Sequence, residues 1–211
     1  MGLKKGVVIL AAGYSSRFGG SKLSAILGNG STVLQQTLQR ISAATDNIVI
    51  VSRQELIEEG VFDSGICHSD TLRRNTSRNT SADQTSKLRM VLCDDSYLGM
   101  GQTLAFGISQ ITDWDACLVC LGDMPFIRTS TYQQLLSVLQ TDNIVIPEYQ
   151  GKAGNPVGFG KKFFETLLRL SGDTGGREII QAHPQQVRRV SVSDGAILED
   201  IDTRADLQRL Q

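Results

Sequence analysis

The sequence predicts an α/β fold, a three-layer α/β/α arrangement with helices on both faces of a mostly parallel sheet. Short, continuous apolar runs alternate along the chain with segments of helical periodicity. Such runs are typical of parallel strands that are buried on both faces. The chain has 211 residues, and it shows no internal repeat and no linker. We therefore expect a single domain that spans residues 1–211.

The elements of the first half follow from apolar runs and from one clear helix start. Thr32 and Gln35 form a capping-box pattern, which opens the first helix. The predicted strands of this half are residues 7–11, 47–52, 89–93 and 116–121. The other predicted helices are a weak one around Leu56, Ile57 and Val61 and two stronger ones at 101–111 and 129–140.

The second half continues the alternation of strands and helices. Strands are predicted at residues 143–147 and 187–192, and helices at 161–170 and 175–182. Asp202 or Thr203 is expected to cap a final helix that runs through Leu210.

Residues 69–87 differ from the rest of the chain because Ser, Thr, Asn, Arg and Asp dominate there. This composition predicts a long exposed loop. Long loops of this kind either carry no chemistry or act as lids over a site, and the sequence leaves both readings open.

Charge and hydropathy exclude several classes of partner. The formal net charge is −1, whereas nucleic-acid-binding surfaces show a basic excess, so we expect no nucleic-acid partner. No stretch approaches the roughly 20 apolar residues of a membrane span. The apolar start at residues 6–13 leads directly to Arg17 and Lys22, which favours a first core strand over a signal peptide. We therefore expect a cytoplasmic protein.

The cysteines and histidines indicate no redox or zinc site. Cys117 and Cys120 form a C-x-x-C pattern, but residues three apart on a strand point to opposite faces, so we expect two core residues. His68 and His183 are too few for a zinc cluster. A G-x-S-x-G hydrolase elbow is also lacking in the sequence.

The loop after the first strand is the first candidate site. Residues 10–22 read LAAGYSSRFGGSK, and successive backbone N–H groups of a Gly-rich turn can hold an anion. Arg17 can contact phosphate oxygens with two donors, and Lys22 supplies a mobile positive charge. The spacing fits neither a Walker loop nor G-x-G-x-x-G. The structural alternative is an ordinary Gly/Ser loop with two solvated cations.

Two acidic segments are further candidates. Asp123 directly follows the fourth strand, and ligands of open α/β sheets bind at the carboxyl ends of strands. Asp200 and Asp202 are two residues apart, so both can face the same side of an extended segment. Carboxylate oxygens suit Mg²⁺. Turn formation by Asp123 and helix capping by Asp202 are the structural alternatives.

These segments together resemble the molybdenum cofactor branch of the sugar-nucleotide-type nucleotidyltransferases. The pattern L-A-A-G-x-S-x-R-x-G-x-x-K at residues 10–22 is similar to the family's signature loop, and Gly-Asp-Met-Pro at 122–125 is similar to its G-D-x-P motif. Residues 199–207, EDIDTRADL, resemble a D-I-D-T-P-E-D-L motif. The resemblance runs in order from residue 6 to about 207, apart from the polar segment, and implies a Rossmann-like sheet of the nucleotide-diphospho-sugar transferase type.

The resemblance implies a Mg²⁺-dependent reaction in which a nucleoside monophosphate moves from a nucleoside triphosphate to a phosphorylated small-molecule acceptor. Arg17, Lys22 and Asp123 would then be catalytic, and Asp123 and Asp202 would hold the metal, with Asp202 favoured over Asp200. Residues 99–104 resemble a G-M-G-x-S-L turn that lies near the nucleobase. The implied nucleotide-binding residues are Leu10, Ala11, Ala12, Gly13, Ser15, Arg17, Lys22, Gly101 and Thr103.

The acceptor pocket is implied by two further segments. Residues 151–157 are similar to a G-H-P-V segment, with Asn155 where His is usual, and Pro156 follows. Residues 172–177 are similar to a G-D-x-G-A-R turn that ends at Arg177, where a helix start could hold a phosphate. A plain Gly-rich helix start remains the alternative for this turn.

The form of the signature loop and the family together imply the substrates. Ala11-Ala12-Gly13 resembles the cytidylyltransferases, which implies CTP as donor and molybdopterin or a related pterin phosphate as acceptor. A molybdoenzyme would receive the product. GTP and other small-molecule or sugar phosphates are the alternatives within this fold. Outside it, the alternatives are a non-catalytic accessory protein for molybdoenzyme maturation and an NAD-linked oxidoreductase, which the paired cations at residues 17 and 22 disfavour.

Overall fold

The computed structural model describes residues 2–15, 17–58 and 88–210. Across these ranges the chain forms one 8-stranded mixed sheet, which confirms the predicted α/β class. The strands are β1 (Lys5–Leu10), β2 (Ile48–Ser52), β3 (Leu88–Leu92), β4 (Ala116–Leu121), β5 (Ile144–Tyr149), β6 (Lys152–Ala153), β7 (Val157–Gly160) and β8 (Val187–Ser191).

The strand order places a switch point beside β1. The order is β3-β2-β1-β4-β7-β5-β6, and β8 pairs with β5. The first four strands run parallel, whereas β7 lies antiparallel between β4 and β5. Because β2 and β4 lie on opposite sides of β1, the connections after β1 and β4 diverge at one edge of the sheet. Ligands of open α/β sheets bind at such a position.

Helices cover both faces of the sheet, as predicted. They are α1 (Val33–Ser42), α2 (Gln54–Glu58), α3 (Met100–Ser109), α4 (Thr129–Val138), α5 (Phe164–Leu167), α6 (Arg177–Ala182) and α7 (Arg204–Leu210). Leu34 of α1 and Leu135 of α4 pack with Val7 in one apolar core, whereas Ile108 of α3 packs with Val8 in another. Successive residues of β1 therefore pack into opposite cores, as expected for a strand that is covered on both faces.

Two helices begin at capping boxes. The Thr32 hydroxyl accepts a hydrogen bond from the Gln35 backbone N–H at 3.1 Å, and the Gln35 side chain accepts from the Thr32 N–H at 2.8 Å. Thr203 and Asp206 repeat the arrangement at α7, with distances of 3.1 and 2.9 Å. The cap of the final helix is therefore Thr203, which leaves the Asp202 carboxylate available for other contacts.

The cysteines of the C-x-x-C pattern lie in different cores, as their spacing on a strand predicts. Cys117 packs in the core under α3 and Cys120 in the core under α1. Burial raises the pKa of both thiols. Both residues are core residues, and they do not form a redox or metal pair.

The structure corrects several predicted elements between residues 150 and 182. Strands β6 and β7 were not predicted, because Val157–Gly160 is short and half glycine. The helix expected at 161–170 is a 3₁₀ turn followed by α5, which ends at Leu167. The helix expected from residue 175 begins at Arg177. The polar segment 69–87 and Val61 lie outside the described residues.

None of the helices in the described ranges is both long and apolar enough to cross a membrane.

Candidate active site

The loop after β1 is fixed to the core by its apolar residues. Phe18, Leu23 and Leu27 are buried in the core under α1. The Gly122 backbone N–H donates to the Leu10 carbonyl at 3.0 Å, which extends the β1–β4 pairing by one step. The signature loop and the turn after β4 therefore start side by side at the switch point.

The segment before α7 crosses this same edge. Ile201 is fully buried, and its backbone N–H donates to the Asp123 carbonyl at 3.1 Å. Asp200 and Asp202 flank this buried residue. One carboxylate oxygen of each of Asp123, Asp200 and Asp202 lies within 4.8 Å of the others. The expected shared face of Asp200 and Asp202 is thus observed, and it meets Asp123.

Lys22 joins the loop to these acids. Its Nζ lies 2.5 Å from Asp123 Oδ2 and 2.8 Å from Asp202 Oδ1. Arg17 Nη1 lies 2.8 Å from Asp202 Oδ2, with the arginine side chain 77% exposed and the lysine side chain only 15% exposed. The four residues that the sequence predicts for catalysis and metal binding therefore form one connected cluster.

The three buried or half-buried charges of the cluster influence one another. Burial raises the pKa of Asp123, and the positive charge of Lys22 only partly opposes this. Burial alone would lower the pKa of Lys22, but its ion pairs with Asp123 and Asp202 outweigh burial and raise it. The hydrogen bond from Lys22 lowers the pKa of Asp202. Lys22 is therefore a cation and Asp202 an anion at neutral pH.

The acidic cluster fits a divalent cation. Asp123 Oδ1 is buried and has no hydrogen-bond partner within the described part of the chain, and a buried polar atom of this kind is costly unless it is satisfied. Hard divalent cations take carboxylate oxygens as ligands. Asp123, Asp200 and Asp202 are the residues that could hold the ion.

A cleft of about 510 Å³ opens from the acidic cluster. Of the residues implied for nucleotide and metal binding, nine line it: Leu10, Ala11, Ala12, Gly13, Arg17, Lys22, Thr103, Asp123 and Asp202. Ser15 lines a smaller pocket of about 190 Å³ together with Arg17, Lys22 and Asp202. The backbone of Ser15 has a φ of +47°, as is common in tight loops around ligands.

Gly101 lies outside the cleft but contacts a loop that contributes to it. It is not among the residues that line the cleft; its N–H donates to the Gly172 carbonyl at 2.7 Å. A Cβ on Gly101 would lie 2.5 Å from the Thr174 carbonyl oxygen, so a larger residue would push this loop away. The contact helps to place Asp173, which does line the cleft. Direct contact of Gly101 with nucleotide stays a prediction.

The residues implied for the acceptor lie apart from this cleft. Asn155, Pro156 and Arg177 are not among its lining residues in the part of the chain described. The Asn155 N–H donates to the Ile197 carbonyl at 2.9 Å, and Arg177 is exposed at the start of α6. Their role in acceptor binding stays a prediction.

Several cleft residues were not singled out from the sequence. They are Tyr14, Leu23, Ser96, Tyr97, Met100, Leu121 and Asp173. Tyr14 and Tyr97 are exposed aromatic residues; Tyr14 lies in the loop after β1, and Tyr97 lies in the 3₁₀ turn that follows β3. An aromatic residue in a polar loop at a carboxyl strand end was the available signal.

The ion pair between Lys22 and Asp202 predicts a pH-dependent contribution to stability. Because the folded-state pKa of Asp202 is lowered, this carboxylate stabilises the fold above its ordinary pKa, and the effect is lost as pH falls through the lower folded value. In EDTA, Asp202→Asn should therefore melt below the unsubstituted protein at pH 7. The difference in melting temperature should shrink below about pH 4.

The control for this experiment is Asp142→Asn, a substitution at an exposed position. Its melting temperature should follow that of the unsubstituted protein over the whole range. A gap for Asp202→Asn that stays constant from pH 7 to pH 3 would contradict the assignment.

Comparison with known proteins assigns the chain to a family. Residues 7–187 match the family described as the MobA-like NTP transferase domain. The chain belongs to this family. It is accordingly a nucleotidyltransferase. The family match confirms the resemblance to nucleotidyltransferases that the motifs indicated.

Three relatives match this chain over at least 90% of their own length. The purine catabolism protein PucB of Bacillus subtilis is 24% identical over 200 residues, covering 93% of this chain and 90% of PucB. The structure of Rv0371c from Mycobacterium tuberculosis has a TM-score of 0.78 and 24% identity, covering 100% of this chain and 98% of that one. A nucleotidyl transferase from Methanothermobacter has a TM-score of 0.76 and 20% identity, with coverage of 99% and 96%. These structures share the fold.

A second structure of Rv0371c contains manganese. It has a TM-score of 0.73 and 22% identity, covering 98% of this chain and 97% of that one. That metal belongs to the neighbour; in this chain, the cluster of three aspartates is the group of residues that could hold a divalent cation.

Proposed function

We propose that this nucleotidyltransferase transfers CMP from CTP to the phosphate of molybdopterin or a related pterin phosphate, with Mg²⁺ as its metal and pyrophosphate as the second product. The observation that carries the transfer chemistry is the position of Lys22 Nζ between Asp123 and Asp202 on one wall of the cleft. The choice of CTP rests on the Ala11-Ala12-Gly13 sequence of the loop. The choice of acceptor rests on the resemblance in motifs.

The reaction forms one bond and breaks one. An oxygen of the acceptor phosphate attacks the α-phosphorus of the nucleotide, and the bond from that phosphorus to the bridging oxygen of the β-phosphate breaks. The electron pair leaves with pyrophosphate. The acceptor phosphate is already an anion, so the chain does not have to supply a general base. Catalysis is then mostly positioning and neutralisation of charge.

The charged residues of the cluster divide these tasks. Arg17, which is exposed, can reach the triphosphate with two donors. Lys22, which is half-buried and held by two ion pairs, neutralises charge that accumulates on the leaving pyrophosphate. Asp123 and Asp202, with Asp200 beside them, would hold the metal, which supplies Lewis-acid polarisation of phosphate oxygens when bound.

The buried position of Asp123 favours catalysis over the accessory-protein alternative. A carboxylate whose pKa is raised by burial destabilises the fold while it is ionised. A protein that only carries nucleotide has less need of such a group than an enzyme that fixes a metal. The relative PucB is named for purine catabolism, and a molybdoenzyme as recipient of the product rests on the resemblance in motifs. We place the reaction in the cytoplasm, within one domain over residues 1–211.

The test is release of pyrophosphate from each of the four nucleoside triphosphates, with Mg²⁺ and molybdopterin. We expect release with CTP only, and none when the acceptor is omitted or when EDTA is present. Release with GTP instead would keep the chemistry and overturn the choice of base. Release from CTP with another phosphorylated acceptor but not with molybdopterin would overturn the choice of acceptor. Nucleotide binding without pyrophosphate release in the presence of any acceptor would favour the accessory protein.

A further inference from the structure

We infer that Tyr14, supported by Arg53, forms a stacking wall for a planar heteroaromatic ring in the cleft. The inference rests on the proposed function, which brings two such rings to the protein, the base of the donor and the pterin of the acceptor. Neither residue belongs to the phosphate or metal cluster described above. The shared chemistry is a flat ring, and the experiment below distinguishes its two sources.

Tyr14 has the position and exposure of a ligand-binding aromatic residue. It directly follows Gly13 in the loop after β1, lines the cleft and is 49% exposed. Tyr14 lies three residues before Arg17, which is expected to contact the triphosphate. Aromatic side chains bind flat bases by stacking, with little dependence on which base is present. A ring on Tyr14 would therefore lie close to phosphates held by the same loop.

Arg53 fixes the Tyr14 ring from behind. It directly follows β2 and is only 8% exposed, and its guanidinium carbon lies 4.3 Å from the centre of the Tyr14 ring. Arg53 is not among the lining residues of the cleft, so the guanidinium lies away from the cavity. Its Nε has no hydrogen-bond partner among residues 2–15, 17–58 and 88–210.

A buried guanidinium is costly unless other interactions compensate. Within the described residues, the interaction given to this group is with the face of Tyr14, and cation–π attraction is stronger when the cation is desolvated. Arg53 is therefore a positioning residue: its burial holds the ring of an otherwise exposed tyrosine in one orientation. A wall ordered before binding loses less entropy when a ligand stacks on it.

Ser96 supplies a second, independent indication of a ligand. It lines the same cleft and is 6% exposed, and its Oγ is buried with no partner in the described residues. Buried hydroxyl groups are normally hydrogen-bonded. Heteroaromatic rings carry nitrogen and oxygen atoms on their edges, so a ring in this cleft would give Ser96 the partner that the described residues do not.

The experiment measures equilibrium binding of three probes to the full chain by calorimetry: Mg²⁺ with CTP, Mg²⁺ with inorganic tripolyphosphate, and neopterin phosphate. Tripolyphosphate engages the phosphate-binding residues but carries no ring. We expect Tyr14→Leu to weaken binding of a ring-bearing probe about 10-fold and to leave tripolyphosphate unchanged. Tyr14→Phe keeps the ring and should bind like the unsubstituted protein.

Arg53→Met and Arg53→Lys test whether Arg53 positions the Tyr14 ring. Arg53→Met should weaken the same ring-bearing probe about 3-fold, again without effect on tripolyphosphate, and Arg53→Lys should restore part of the loss because it keeps a cation. Partial unfolding would weaken tripolyphosphate as well, so the ratio of the two affinities separates positioning from a general structural defect.

The outcomes distinguish the sources of the ring. Loss confined to CTP assigns the wall to the donor base, and loss confined to neopterin phosphate assigns it to the acceptor. Equal loss for all three probes, no loss for any, or no advantage of the ring-bearing probes over tripolyphosphate in the unsubstituted protein would overturn the inference. Failure of the proposed function would appear separately, as absence of pyrophosphate release by the unsubstituted protein.

Discussion

Replacement of Asp123 by asparagine is expected to lower the turnover number for pyrophosphate release by about 100- to 1000-fold. The substitution keeps the shape of the side chain and removes its charge. Asp123 belongs to the carboxylate cluster, and its Oδ1 has no partner among the described residues. Loss of this buried anion should also weaken binding of Mn²⁺, measured by calorimetry or electron paramagnetic resonance.

The fold should tolerate this substitution. Burial raises the pKa of Asp123, so a neutral amide relieves a desolvation cost, while Lys22 keeps its 2.8 Å contact with Asp202. The matched control is Asp173→Asn, which makes the same change in the same cleft but outside the cluster of three acids. Unchanged Mn²⁺ affinity in Asp123→Asn would remove this residue from the metal site.

Replacement of Lys22 by methionine should lower the turnover number by about 100-fold, and by at least about tenfold. The Lys22 ammonium contacts two carboxylates of the cluster, so its removal leaves the leaving pyrophosphate without its fixed cation. Mn²⁺ affinity should rise, because the carboxylates remain and a competing positive charge is gone. This opposite effect on metal binding separates the role of Lys22 from that of Asp123.

Two further variants serve as controls for Lys22→Met. Lys22→Arg keeps the charge but brings a larger, planar group to a buried position that bridges two acids, so it should recover only part of the activity. Lys162→Met removes an exposed lysine in the 3₁₀ turn after β7 and should leave turnover unchanged. Full activity of Lys22→Met in the pyrophosphate assay would exclude Lys22 from the mechanism.

Local sequence patterns determined the strands of the first half and the identity of the central charged residues. The apolar runs located β1 to β4 within about one or two residues of their observed ends. The capping box at Thr32 is observed, and the spacing of Cys117 and Cys120 correctly assigned them to opposite faces. These features depend on neighbouring residues and on the periods of helix and strand, which a sequence displays directly.

The motifs also determined the family but not the position of every implied residue. The signature loop, the turn at Asp123 and the segment at Asp202 were sufficient to indicate a nucleotidyltransferase, and residues 7–187 match that family. Asn155 and Pro156 were implied by resemblance alone, Arg177 by resemblance and its place at a helix start, and the cleft around the charged cluster is lined by other residues. Without local chemistry of their own, such residues are hard to place from sequence.

Only the tertiary structure decided which distant residues meet. Lys22 and Asp202 are 180 positions apart, and they come together because β1 and β4 are neighbours and buried Ile201 holds the last segment across their ends. The support of Tyr14 by Arg53 likewise requires β2 beside β1. Strand order and the insertion of β7 between β4 and β5 depend on long-range pairing and shared burial. Those energies belong to the assembled core, so no local spacing in the chain displays them.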